Sequence, residues 1–290
     1  MSTPATHWRI GPDRTLDLSE PHIMGILNVT PDSFSDGGRF ESIDDACRQA
    51  AVMIDAGASI IDVGGESTRP GAQRVQAQVQ IDRVVPVIEA IGEQWDIPLS
   101  IDTTLAEVAR AAIDAGANII NDVAAGSEDA AMLPLAAQTG CGLVLMHRVH
   151  APEDDSWSTQ WKTPPQYGGD VAIEVRDWLL DRAAKACTAG VDRACICIDP
   201  GLGFGKDVGQ NWRLIAQSHV LADTGLPVLG AASRKSFIGA VTGADQPEDR
   251  LPGSLAVTAV QCGGGFRLFR VHDVADHLRV ARSVIAAASA

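Results

Sequence analysis

The amino-acid sequence predicts an α/β fold: a single-domain (β/α)8 TIM barrel spanning residues 1–290, with a short N-terminal β-hairpin. Three observations predict it. Eight brief apolar runs alternate with longer amphipathic stretches, every run ends in polar residues, and no glycine-rich linker interrupts the alternation. At 290 residues, 46% hydrophobic and 21% charged, the chain can bury one sizeable core.

The elements follow in order. Trp8 to Ser19 forms the hairpin, turning at Gly11-Pro-Asp13. The strands are then read over His22–Val29, Ile60–Gly65, Leu99–Asp102, Ile119–Val123, Gly142–His147, Ala194–Asp199, Pro227–Ala232 and Phe266–Val271, each followed by a helical stretch. Strands apolar along their whole length are covered on both faces, which requires a parallel sheet with helical crossovers. Asp55-Ala-Gly57, Asp114-Ala-Gly116 and Thr188-Ala-Gly190 each set a glycine just before a strand, where a helix C-cap belongs.

Charge narrows the list of partners. A net charge of -14 and a pI near 4.8 repel nucleic acid and anionic membranes, so an anionic substrate needs a local cluster of cations. The N-terminus has no apolar stretch after a basic start, and no later run approaches the ~20 apolar residues of a membrane span. A cytoplasmic protein is expected. The six cysteines form no CxxC pair, and Cys195 with Cys197 reads as two buried thiols on one face of a strand.

The polar residues closing the runs are Asn28, Glu66, Asp102, Asn121 with Asp122, His147, Asp199, Ser233 with Arg234 and Lys235, then Arg270 and His272. In a barrel all strand C-termini share one face, so residues some 250 positions apart would meet in one pocket. Any one of them is equally well explained by a strand running into a solvated loop. Ser233 is a good N-cap, which would put Arg234 and Lys235 in a first helical turn, where cations lose roughly 0.3–1 kcal/mol each against the macrodipole. An anion drawn to that point would explain them.

Three segments go beyond pattern: Asn28-Val-Thr-Pro-Asp-Ser-Phe-Ser-Asp-Gly-Gly38, Gly64-Gly-Glu-Ser-Thr-Arg-Pro-Gly71 and Ser233-Arg-Lys-Ser-Phe-Ile-Gly239. They resemble the signature loops of the dihydropteroate synthases. Ser100-Ile-Asp-Thr103, Ile119-Ile-Asn-Asp122, Leu145-Met-His147, Ile198-Asp-Pro-Gly-Leu-Gly-Phe-Gly-Lys206, Arg250-Leu-Pro-Gly-Ser254 and Arg270-Val-His-Asp273 match further motifs in the family's order, from about Trp8 to the last helix.

The resemblance implies a reaction in which the amine of p-aminobenzoate displaces diphosphate from 6-hydroxymethyl-7,8-dihydropterin diphosphate. An aromatic amine is uncharged at neutral pH, so no strong base is needed, and no Ser-His-Asp or Cys-His arrangement is found. Departure of diphosphate demands stabilised negative charge. By the family's pattern Asn28 holds Mg2+, while Arg69, Arg270 and His272 contact or organise the diphosphate. Mg2+ keeps several waters and takes phosphate oxygens, so a single amide ligand suits it. Asp102 and Asp199 match carboxylates that face the developing cation, and Asp199 can accept from the ring's amino group and adjacent N–H together. Asn121 and Lys235 match contacts to the pterin edge, and Met146 one to its face. Asp102, Arg270, His272 and Lys235 are the implied catalytic set.

For p-aminobenzoate the resemblance implies Phe34, Thr68, Pro70 and Phe204 around the ring, with Ser236 meeting the carboxylate at a helix N-terminus. Taken alone, Asn28-Val-Thr-Pro-Asp is a run of turn formers, Asp199-Pro-Gly another, and Met146 ordinary core. A corrinoid-type pterin methyltransferase would share barrel and pocket but would not need the first loop or Arg270-Val-His272; a silent pterin-binding homologue would keep both. The family also implies a homodimer. Arg148 to Gly169 is longer than the family's usual loop and carries Trp157 and Trp161, read here as cover for the barrel edge.

Overall fold

The computed structural model describes residues 4–29 and 39–289. Two strands, β1 (His7–Gly11) and β2 (Arg14–Asp17), pair antiparallel as the predicted hairpin. The barrel strands are β3 (His22–Asn28), β4 (Ile60–Gly64), β5 (Leu99–Asp102), β6 (Ile119–Asp122), β7 (Gly142–Met146), β8 (Ile196–Asp199), β9 (Leu229–Gly230) and β10 (Leu268–Val271). Each pairs in parallel with its sequence neighbour, β10 pairs back onto β3, and a bridge between Ile198 and Val228 joins β8 to β9. The eight strands thus close into the expected barrel.

The helices are α1 (Arg39–Asp55), α2 (Ala77–Gln94), α3 (Ala106–Asp114), α4 (Met132–Thr139), α5 (Val171–Thr188), α6 (Val208–Ala216), α7 (Ser218–Ala222), α8 (Ser236–Thr242), α9 (Leu251–Gly263) and α10 (Val274–Ala288). They pack their apolar faces on the barrel's outer surface, where Val63, Ile88, Ile101, Leu143, Leu179, Ile198 and Phe269 are buried in one core. None of the described helices is long and apolar enough to cross a membrane. Gly57, Gly116 and Gly190 have φ of 98°, 111° and 102°, the left-handed conformation that stops a helix just before a strand.

The hairpin plugs the barrel at the strands' N-terminal end. Trp8 and Ile10 are fully buried with Met24, Ile60, Ile119, Val144, Cys197, Leu229 and Leu268, and Trp8 Nε1 donates to the Cys195 carbonyl at 2.8 Å. Gly142 at the start of β7 permits this docking, because a Cβ there would lie 3.1 Å from Ile10 Cα.

Three expectations need correction. Cys195 is buried but belongs to a 3-10 turn, Arg193–Cys195, so it does not share the strand with Cys197. The seventh strand is far shorter than Pro227–Ala232. Its ladder covers only Leu229 and Gly230, since Pro227 has no N–H to donate and the chain leaves the sheet at Ala231. Finally, Ser233 does not cap α8; Lys235 holds the N-cap position and Ser236 is the first helical residue.

Candidate active site at the barrel mouth

Side chains two apart on a strand point the same way, so the strands that send Ile60, Ile119, Cys197 and Leu268 into the plug send Asp62, Asn121, Asp199 and Arg270 to the next level up. Arg270 is central there. Its Nε donates to Asp62 Oδ2 at 2.6 Å and its Nη2 to Asp102 Oδ2 at 2.7 Å, while Asn121 Nδ2 donates to the same Asp62 oxygen at 3.2 Å. Asn28 joins this group: a Cβ on Gly64 would sit 3.5 Å from Asn28 Oδ1 and 3.6 Å from Asp102 Cβ.

Burial pushes Asp102 up to about 7 against the pull of Arg270, with Asp62 adding to the rise. The two carboxylates hold Arg270 charged throughout the accessible pH range. Asp62 Oδ1, Asp102 Oδ1 and Ser100 Oγ are buried without a hydrogen-bond partner among the described residues, which leaves acceptors at the mouth for a ligand's donors. Asp62 is absent from the sequence-derived site. Its sequence signal is an acidic residue inside the apolar run Ile60-Ile-Asp-Val63, one level below the strand end.

The neighbouring wall is formed by β7, β8 and the turns that follow. Met146 lies in register with Asp199 and packs with Val123 and Phe204. Lys235 Nζ stands 4.1 Å from the centre of the Phe204 ring, a cation–π contact, and its stem crosses Gly203. Asp199 Oδ1 accepts the Gly201 N–H at 2.7 Å. Burial raises Asp199 to about 6, opposed by that bond and by Lys235; burial and Arg270 lower Lys235 to about 8. A fully buried lysine that sequence reading did not single out, Lys206, props this wall from behind. Its Nζ reaches His147 Nδ1 at 3.0 Å and donates to the carbonyls of Gly201 and Phe204, each at 2.9 Å.

After β9 and β10, Ser233 Oγ lies 3.0 Å from His272 Nδ1. Burial, Arg234 and Arg270 lower His272 to about 3, so it is a neutral imidazole at pH 7. Arg234 does not serve as the free cation that the sequence suggested. With φ of 59° it precedes the helix, and its guanidinium grips Asp273 through two bonds of 3.0 and 2.7 Å.

The loop after β4 carries Thr68, Arg69 and Pro70, with Arg69 exposed; Glu66 ties it down by accepting from Val75 N at 2.5 Å and Gln80 Nε2 at 3.1 Å. Thr68 and Asp102 line one cleft with Arg74, Arg148 and Glu153. Ser236 opens α8 beside Lys235. Phe34 lies outside the described residues. Among the described residues, no group of three or more His, Cys, Asp or Glu is placed to hold a metal. The mouth therefore gathers Asn28, Asp102, Asn121, Met146, Asp199, Phe204, Lys235, Arg270 and His272.

Known proteins with this pattern agree. Residues 24–272 match the pterin binding enzyme family. The dihydropteroate synthase of Escherichia coli K12 is 44% identical over 276 residues, 95% of each chain. A solved dihydropteroate synthase of Xanthomonas albilineans with 4-aminobenzoic acid superposes with a TM-score of 0.89 at 40% identity, covering 99% of both chains. Another structure from that organism, in complex with 7,8-dihydropteroate, gives a TM-score of 0.84 at 37% identity over 98% of this chain and 99% of that one. With nearly the whole chain matched in sequence and in fold, this protein belongs to the pterin-binding enzyme family and, within it, to the dihydropteroate synthases.

Proposed function

We propose that the chain condenses 6-hydroxymethyl-7,8-dihydropterin diphosphate with p-aminobenzoate to give 7,8-dihydropteroate and diphosphate, in folate biosynthesis. The observation that carries this reading is the meeting of Arg270, Lys235, Asp102, Asp199 and Asn121 at one mouth of the barrel. An X. albilineans relative has been captured with 4-aminobenzoic acid and another with 7,8-dihydropteroate, one substrate and the product of that reaction.

In this reading the pterin lies over Met146 with its polar edge toward Asp199, Asn121 and Lys235. The amine lone pair attacks the pterin methylene, the C–O bond to diphosphate breaks, and the amine nitrogen then loses a proton. Positive charge developing in the ring is met by Asp102 and Asp199, and negative charge on the leaving oxygens by Arg270, Arg69 and the His272 imidazole. Arg270 is oriented by Asp62 and Asp102 before substrate arrives, so little reorganisation is required at the moment of bond breaking.

Asn28 fits Mg2+. Its amide oxygen stands near Asp102 at the mouth, and one neutral oxygen donor suits an ion that keeps waters and binds phosphate oxygens. When bound, the ion would supply charge neutralisation for the leaving diphosphate.

Thr68, Pro70, Phe204, Ser236 and Phe34 are proposed around p-aminobenzoate, with Arg69 and His272 toward the diphosphate. A single catalytic domain over 1–290, a cytoplasmic location and a homodimeric state complete the proposal; nucleic acid and membrane are not partners. The decisive test couples diphosphate release to pteroate formation with Mg2+ present, repeated for Asp102→Ala and Arg270→Ala. Pteroate formed by the wild-type chain and lost in both variants supports the assignment; pterin binding without diphosphate release indicates a silent homologue.

A further inference from the structure

The segment from Arg148 to Gly169 has no part in the chemistry above, yet it makes hydrogen bonds to both sides of the cleft assigned to p-aminobenzoate. Toward the loop after β4, the Pro152 carbonyl accepts the Gly71 N–H at 2.7 Å. Arg148, almost fully buried, and Arg74 of that loop both pair with Glu128, so segment and loop are tied a second time through two ion pairs to one shared carboxylate. Toward the turn after β8, the Asp155 carboxylate accepts the Gly205 N–H at 3.1 and 3.2 Å, and the Tyr167 hydroxyl donates to the Gly205 carbonyl at 3.4 Å.

Gly205 also packs so closely on Val149 that a Cβ would lie 2.8 Å from it, and φ there is 57°. The residue is therefore gripped at its N–H, at its carbonyl and over its face by one stretch of chain. Its neighbour in sequence is Phe204, whose ring lies beneath Lys235 Nζ. Two further ties anchor the same stretch: Asn211 Nδ2 donates to Ser158 Oγ at 3.1 Å and Gln210 Nε2 to the Pro165 carbonyl at 2.7 Å.

We propose that this segment is a clamp that fixes the distance between the Thr68–Pro70 loop and Phe204, with Asp155 as its principal positioning residue, and so sets the enzyme's affinity for the aryl amine. Asp155 is buried and its carboxylate faces a backbone N–H rather than the substrate. Its effect therefore falls on the cleft wall and not on the reacting atoms. Asp155 makes no hydrogen bond to Asp62, Arg270 or Asp102 and reaches the pterin side only through Phe204 and its charge on Lys235, so its larger effect falls on the aryl amine. The inference rests on the proposed condensation.

The experiment measures both substrates' Michaelis constants in wild type, Asp155→Ala, Asp155→Asn and Tyr167→Phe. Asp155→Ala is expected to raise KM for p-aminobenzoate about tenfold, with kcat and KM for pterin diphosphate within twofold of wild type. Asp155→Asn, which keeps an acceptor oxygen, recovers most of the loss, and Tyr167→Phe raises the same constant about threefold. If Asp155→Ala does not fold, Tyr167→Phe carries the test on its own. An unchanged KM for p-aminobenzoate in the folded variants, or an equal rise for both substrates, overturns the clamp while leaving the condensation intact. No pteroate from the wild-type chain removes the functional reading and the clamp together.

Discussion

The two ends of this barrel are built from the same strands and do opposite things. At the N-terminal end Ile60, Ile119, Cys197 and Leu268 meet Trp8 and Ile10 in an apolar plug. Two residues further along, the same strands present Asp62, Asn121, Asp199 and Arg270. One end gains stability by excluding water; the other holds like charges close together with buried acceptors that have no partner among the described residues, at a cost in stability. Stability and activity should therefore separate along the barrel axis.

The largest expected effect lies at the mouth. Arg270→Ala removes the cation between Asp62 and Asp102, and kcat/KM for condensation should fall by roughly 10²–10³, while the chain still folds. Denaturant unfolding beside steady-state kinetics checks both halves. A variant that is inactive because it is unfolded would break the comparison.

Trp8→Ala tests the other end. Loss of a buried indole and of its bond to the Cys195 carbonyl should cost about 3–5 kcal/mol of unfolding free energy, with kcat unchanged below the new melting point. The plug lies two residues down these strands from the mouth, about 7 Å by the ~3.3 Å rise per residue, so a large fall in kcat would show the two ends to be coupled.

How far the sequence carried this picture also differs between the ends. The barrel was readable because each strand is a short apolar run and glycines stop the helices before β4, β6 and β8, both local signals. Strand ends gave Asp102, Asn121, Asp199 and Arg270 for the same reason. Asp62 was missed because it sits one level inside the barrel, where an apolar residue is the rule. Arg234 was misplaced, since its left-handed φ and its pairing with Asp273 depend on a residue 39 positions away. The ties of Asp155 to Gly205 and of Lys206 to His147 span 50 and 59 residues, and no periodicity records such contacts.

A smaller effect follows from titration, which the plug lacks and the mouth has. Asp199 is ionised above about 6 and Lys235 is cationic below about 8, so kcat/KM for pterin diphosphate should rise through the first value and fall through the second. Asp199→Asn should remove its own step from the acid limb and leave that of Asp102 near 7, and Lys235→Arg should remove the alkaline limb. Stability runs the other way for Asp199. A carboxyl raised on folding favours the folded state most below its unfolded value near 3.8, and that advantage is lost as pH rises through about 6. Asp199→Asn should thus be more stable than wild type at pH 8, by on the order of 3 kcal/mol of unfolding free energy, and little different at pH 4. Thermal unfolding of both proteins at the two values measures it; a gain of equal size at pH 4 would mean that the carboxylate's charge is not what the mouth strains to hold.

The smallest effect is expected where the chain enters the barrel from outside. Gly116 caps α3 just before β6, with φ of 111° and nothing within 4 Å of where a Cβ would stand. Gly116→Ala should therefore cost only the backbone strain of an alanine at positive φ, about 1–2 kcal/mol, with both Michaelis constants unchanged. Gly57 before β4 has the same role but a Cβ there would lie 2.6 Å from Leu278 Cδ2, so Gly57→Ala should add the displacement of a buried side chain to the same strain. Comparing the two unfolding free energies separates conformation from packing at this end. If Gly116→Ala instead altered either Michaelis constant, the N-terminal end would have to be transmitting shape along β6 to Asn121, and the division of labour between the two ends would no longer hold.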